Sequence, residues 1–134
     1  MQKIEHIGIA VKDISSANAI YTKLFGTPPY KTETVESEAV ITSFFKSGPN
    51  KIELLQAMND ESPIAKFIEK KGEGIHHIAF AVDDIFAEIN RLKSEGFIVL
   101  NETPKKGADN KLIAFLHPKS TNGVLIELCQ EIAQ

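Results

Sequence analysis

The sequence predicts an α+β protein built from one module written twice, each copy running strand, helix and three strands. Two echoes and one pattern carry that prediction. His6–Ile14 and His77–Ile85 are identical at six of nine positions. Ile-Glu-Leu-Leu-Gln at 52–56 returns as Ile-Glu-Leu-Cys-Gln at 126–130, so each copy opens on a histidine and closes on a glutamate. Between these ends, period-two apolar alternation flanks a single stretch of helical period. Self-similarity at this scale marks a repeated structural unit. We expect a single domain over 1–134, with module one at about 3–56, a linker helix at about 62–71 and module two at about 74–130.

In module one, residues 3–11 alternate around Ile4, Ile7, Ile9 and Val11, the signature of a strand. Asp13 stands where a helix N-cap belongs, Ile14, Ala17, Ile20, Tyr21, Leu24 and Phe25 follow at helical spacing, and Gly26 supplies the stop. Thr27-Pro28-Pro29 cannot extend a helix. Extended segments are expected at 30–36, 39–46 and 51–56, with Gly48-Pro49-Asn50 as the turn before the last.

Ser62-Pro63 is a helix start, a capping hydroxyl followed by a proline at the first helical position. Ile64, Phe67 and Ile68 form its apolar face, Lys66, Glu69, Lys70 and Lys71 its wet face, and Gly72 its end. Module two begins with a strand at 75–82 and a cap at Asp83 or Asp84. A helix face of Ile85, Ile89 and Leu92 ends at Gly96, and strands follow at 97–101, 111–117 and 123–130. Pro104-Lys105-Lys106-Gly107 and the Pro118–Gly123 stretch are expected as the intervening turns.

The bulk numbers exclude several classes. With 134 residues, 43% hydrophobic and 25% charged, the chain is of ordinary globular composition, and a net charge of -3 offers no basic field for nucleic acid or anionic membrane. The longest apolar runs are far too short to cross a bilayer. The lone Cys129 has no internal disulfide partner, which fits a cytoplasmic setting. The sequence holds no nucleophile triad, phosphate-binding glycine loop or cysteine zinc cluster.

The chemistry lies in the repeat. His6 and His77 hold equivalent positions of equivalent strands, and Glu53 and Glu127 hold equivalent positions of the closing strands. Packed about a pseudo-twofold axis, the four converge as two imidazoles and two carboxylates. That donor set suits a divalent Co, Ni, Zn, Mn or Fe ion. A histidine on an apolar strand is more often simply packed, but a glutamate recurring between apolar neighbours is costly to bury without a partner. His76, His117, Gln56 and Gln130 read as structural, Cys129 as a packed thiol, and Lys105, Lys106, Lys111 and Lys119 as solvated charge or contacts for an anionic substrate.

These residues resemble the vicinal oxygen chelate (glyoxalase/bleomycin resistance) superfamily, whose two βαβββ modules form a cupped, mixed eight-stranded sheet around a metal. Within it, the likeness is to the methylmalonyl-CoA epimerases. It rests on His-Ile-Gly-Ile-Ala-Val at 6–11, Asn-Asp-Glu-Ser-Pro-Ile-Ala-Lys-Phe-Ile at 59–68, Gly-Glu-Gly-Ile-His-His-Ile-Ala-Phe at 72–80 and His-Pro-Lys-Ser-Thr-Asn-Gly-Val-Leu-Ile-Glu-Leu at 117–128. The resemblance implies His6, Glu53, His77 and Glu127 as metal ligands, Glu127 as the acid/base, an acyl-CoA substrate and a homodimer. Some relatives carry a second catalytic glutamate at the position of Thr42, which leaves the second base open. A glyoxalase I-type lactoylglutathione lyase is the alternative, against which Ala10 stands where bacterial glyoxalases often carry arginine. A metal-free binding protein of the same fold is the non-enzymatic alternative, and such relatives typically lose the ligand set.

Overall fold

A computed structural model of the chain describes residues 1–132. Among them are eight strands, β1 Lys3–Ala10, β2 Lys31–Val35, β3 Val40–Ser47, β4 Asn50–Ala57, β5 Gly74–Ala81, β6 Lys105–Lys106, β7 Lys111–Leu116 and β8 Ile126–Glu131. The three α-helices are α1 Ile14–Phe25, α2 Pro63–Lys71 and α3 Ile85–Ser94. The strands follow the order β2-β3-β4-β1-β5-β8-β7-β6 in a mixed sheet, as the repeated βαβββ pattern requires. The pairs β1–β4 and β5–β8 are parallel, and β2–β3, β3–β4, β6–β7 and β7–β8 antiparallel. Two compact units divide the chain: residues 6–76 form one, and residues 1–5 with those from His77 onward form the other.

In the unit of residues 6–76, α1 begins where the sequence places it. The Asp13 carboxylate accepts from Ser16 N at 3.3 Å and from Ser16 Oγ at 2.6 Å, and these bonds hold its pKa below the usual carboxylate value. Gly26 closes the helix at φ 76°, the left-handed conformation that costs glycine least. The inner face of α1 packs Ala17, Tyr21 and Phe25 against Val11, Phe45 and Leu54 of the sheet. Tyr21, Phe25 and Phe45 meet with ring centroids 5.6–6.1 Å apart. Fully burying a side chain such as Leu54 contributes about 1.5–3 kcal/mol. Ser62 caps α2 by accepting from Ile64 N at 3.2 Å, with Pro63 in the first turn.

The other unit repeats the arrangement. Asp84, rather than Asp83, caps α3, accepting from Ala87 N at 3.1 Å. Ile85, Ile89 and Leu92 bury their side chains against Val82, Ala114, Leu116 and Leu128. Both helices are also tied to their closing strands in the same way. Gln56 Oε1 accepts from Ile14 N at 2.8 Å, and Gln130 Oε1 accepts from Ile85 N at 2.8 Å. The repeated glutamines are therefore structural, each satisfying one of the orphan donors at a helix N-terminus.

One expected strand is corrected. Residues 97–101 have the alternation of a strand, with Phe97 and Val99 on the core and Ile98 and Leu100 exposed, yet they make only an isolated bridge, Val99 to Leu116. Side chains take the places where a ladder would continue: Phe115 N donates to Asn101 Oδ1 at 2.9 Å and Ile98 N to Ser120 Oγ at 3.2 Å. The second strand of this module lies instead within the expected turn, where Lys105 and Lys106 pair with Ile113 and Leu112. Asp109 and Asn110, both at positive φ (57° and 56°), turn the chain back into β7, and Gly107 N donates to Lys111 O at 2.9 Å. A Cβ at Gly107 would stand 2.6 Å from Ile113 Cδ1, so any larger residue there would displace the Ile113 side chain.

Candidate metal centre

Period two gives neighbouring residues of the closing strands opposite fates. Ile52 and Leu54 face α1, and Ile126 and Leu128 face α3, so Glu53 and Glu127 project from the other side of their strands. The partner in register with Glu53 is Gly8, and the partner of Glu127 is Ala79. Both are small. That leaves lateral room for each glutamate to lean toward the histidine two residues before its small partner, a diagonal that long side chains can span.

The result is the same pair in each unit. His6 Nε2 lies 3.2 Å from Glu53 Oε1, and His77 Nε2 lies 3.1 Å from Glu127 Oε1. All four residues are buried, at 3–6% exposure. An aromatic ring backs each imidazole edge-on: Phe44 is 6.4 Å from His6 at 86°, and Phe115 is 6.1 Å from His77 at 87°. Each phenylalanine stands in register with its glutamate, Phe44 with Glu53 and Phe115 with Glu127.

The pairs fit a divalent ion by chemistry and by bite. Imidazole nitrogen and carboxylate oxygen are borderline donors suited to Zn, Mn, Fe, Co or Ni. Two adjacent ligands on an octahedral ion with bonds of about 2.1 Å stand about 3.0 Å apart. The observed N–O separations of 3.1 and 3.2 Å are close to that spacing. A buried histidine–carboxylate pair without such a role is a poor stabilising device, because desolvation offsets most of its attraction.

The remaining sequence candidates have contacts of their own. His76 packs edge-on against Phe67 at 4.9 Å, which accounts for it structurally. His117 shapes the end of β7, its Nδ1 accepting from Lys119 N at 2.9 Å. Cys129 is 1% exposed among Ala79, Ile113 and Phe115, its thiol donating to Phe80 O at 3.5 Å. Thr42 is fully buried and donates its hydroxyl to Glu33 O at 3.3 Å. Of the lysines, Lys111 is buried and lies 3.9 Å from Glu131. The phenylalanines escape the sequence reading, although their offset from the opening histidine is the same in both modules and an alignment extended past the nine-residue echo would have paired them.

Fold and pairs together are those of the glyoxalase class, with a candidate metal site. Residues 5–115 match the Glyoxalase/Bleomycin resistance protein/Dioxygenase superfamily, and the chain belongs to it. Within that superfamily the chain is related along nearly its whole length to methylmalonyl-CoA epimerases. It is 42% identical over 130 residues to an ethylmalonyl-CoA/methylmalonyl-CoA epimerase of Cereibacter sphaeroides, covering 96% of this chain and 97% of that protein. It is also 40% identical to the uncharacterised Bacillus subtilis protein YqjC, covering 97% and 93% of the two chains. A structure of Streptomyces coelicolor methylmalonyl-CoA epimerase in complex with 2-nitronate-propionyl-CoA superimposes with a TM-score of 0.95 at 34% identity, covering 99% of this chain and 96% of that one. Among the described residues no helix is long and apolar enough to cross a membrane.

Proposed function

We propose that this chain is a metal-dependent epimerase that interconverts the two C2 epimers of methylmalonyl-CoA. The observation that carries the reading is the buried His–Glu pair, built twice with the same register, small partner and aromatic backing. Full-length similarity to methylmalonyl-CoA epimerases supports it and points to an acyl-CoA as the partner. In this reading His6, Glu53, His77 and Glu127 are the ligands of one divalent ion. When bound there, an ion would supply Lewis-acid stabilisation to the oxygens of a diacid thioester.

The protein's own groups supply orientation and proton transfer. Each histidine Nε2 stands beside one oxygen of its glutamate, where both would hold the ion, and Phe44 and Phe115 pack edge-on against the imidazoles. Glu127 has a second carboxylate oxygen, and we assign to it the exchange of a proton with C2. Positioned acid/base groups of this kind contribute about 10²–10⁴-fold in rate.

The test is proton NMR of methylmalonyl-CoA in deuterated buffer with metal-loaded and chelator-treated protein. Metal-dependent deuterium incorporation at C2, with loss of stereochemical purity, is expected. Its absence across several divalent metals would overturn the reading. Turnover of the hemithioacetal of methylglyoxal and glutathione would then favour the activity named for a 31%-identical relative, a probable lactoylglutathione lyase of Vibrio cholerae.

A further inference from the structure

We infer that Glu33 is the second acid/base, supplied from one strand beyond the position that Thr42 occupies. This inference rests on the epimerase reading above. Inverting C2 requires a proton to leave one face of a planar carbon and another to arrive on the opposite face. One carboxylate, Glu127, serves one face. A second group must serve the other.

Thr42 is poorly suited to that role. Its neutral hydroxyl is fully buried and donates to a backbone carbonyl, that of Glu33. The register of the sheet shows what stands beside it. Glu33 is directly opposite Thr42 across β2–β3, and Thr42 is directly opposite Leu55 across β3–β4. One step along, Lys31 is opposite Phe44 and Phe44 opposite Glu53. Residues in register share a face, so Glu33 projects from the same face as Glu53, and hence the face on which His6 and Phe44 meet.

Burial along β2 agrees. Lys31 and Glu33 are half-buried and Val35 is buried, whereas Thr32 and Thr34 between them are exposed. Two strand spacings and a two-residue offset put the Cα atoms of Glu33 and Glu53 about 12 Å apart. That separation exceeds the combined reach of the two side chains, so a small diacid bound on this face could be touched from both strands. The Glu33 side chain is 31% exposed, so its proton can exchange with solvent, and Lys31 Nζ lies 3.4 Å from its Oε1. Glu36 and Glu38 are worse placed, in the turn beyond the β2–β3 hairpin end formed by Val35 and Val40.

Module two has the opposite charge at the equivalent edge. Lys105 is opposite Ile113, which stands two residues before Phe115 as Thr42 stands two before Phe44. The edge carboxylate is thus a property of module one alone, while the glutamate assigned to acid/base work in the metal centre belongs to module two.

The step balances without a co-reactant. For one epimer, the Glu33 carboxylate takes the proton as the C2–H bond breaks. The bonding pair forms the double bond to the thioester carbon and displaces the carbonyl pair onto oxygen. Protonated Glu127 then delivers its proton to the other face as the electron pair returns. For the other epimer the two glutamates exchange roles.

The test is Glu33→Gln in the metal-loaded enzyme, with each epimer of methylmalonyl-CoA supplied separately in deuterated buffer. Interconversion should fall at least ~100-fold. One epimer should still exchange its C2 proton at close to the wild-type rate with retention of configuration, and the other should not. Glu33→Asp should restore part of kcat with KM little changed. Because the edge site is partly exposed and Gln is isosteric, the thermal midpoint should not move. Wild-type-like interconversion in Glu33→Gln, or equal loss of exchange from both epimers, would overturn the inference while leaving the epimerase standing. If the wild type exchanges neither epimer, the epimerase reading and this inference fall together.

Discussion

The two modules are most alike where they bury polar groups and least alike at their edges. Both present a histidine to a glutamate across a small in-register residue, back the imidazole with a phenylalanine, and tie the helix start to a glutamine three residues beyond the glutamate. At the outer edge, module one has a five-residue β2 carrying Glu33, and module two has a two-residue β6 carrying Lys105. The lesson is a division of labour. The paired interior is constrained because burying charge demands partners in fixed geometry. The edges carry no such constraint and are free to diverge.

The comparison can be sharpened first at the edge. Lys105→Ala should raise KM for an anionic acyl-CoA about tenfold, equivalent to about 1.4 kcal/mol, with kcat within about twofold. The difference should shrink as salt is added, because a half-exposed charge is screened. Initial rates at two ionic strengths check this, and a change confined to kcat would remove Lys105 from substrate binding. A smaller effect is expected at the shared feature. Gln56→Ala and Gln130→Ala should each lower stability by about 1 kcal/mol in urea denaturation, since each leaves a helix-start N–H without its acceptor. Similar losses would support equivalence of the two ties, and a neutral result at one position would break it.

The helix boundaries and the His–Glu pairs were legible because their signals are local or repeated. Asp13, Asp84 and Ser62 cap the helices that their sequence positions imply, and the His–Glu pairs follow from strand period plus duplication. What was not legible depends on pairing between distant segments. A two-residue strand at Lys105–Lys106 has no periodicity to read, and it exists because the Asp109–Asn110 turn folds it onto β7. Residues 97–101 carried the right alternation but lost their ladder to the side chains of Asn101 and Ser120. Glu33 was likewise hidden, because its face is fixed by register with Thr42 rather than by any neighbour in sequence.

The central claim is that the two His–Glu pairs serve a single ion. Native mass spectrometry of the protein loaded with Co or Zn, alongside the His6→Ala and His77→Ala variants, tests it most directly. One ion per chain is expected in the wild type, and either substitution should weaken its affinity at least about tenfold, the scale seen for disturbing metal-site residues. Two ions per chain, or one ion held undiminished when either histidine is removed, would contradict it.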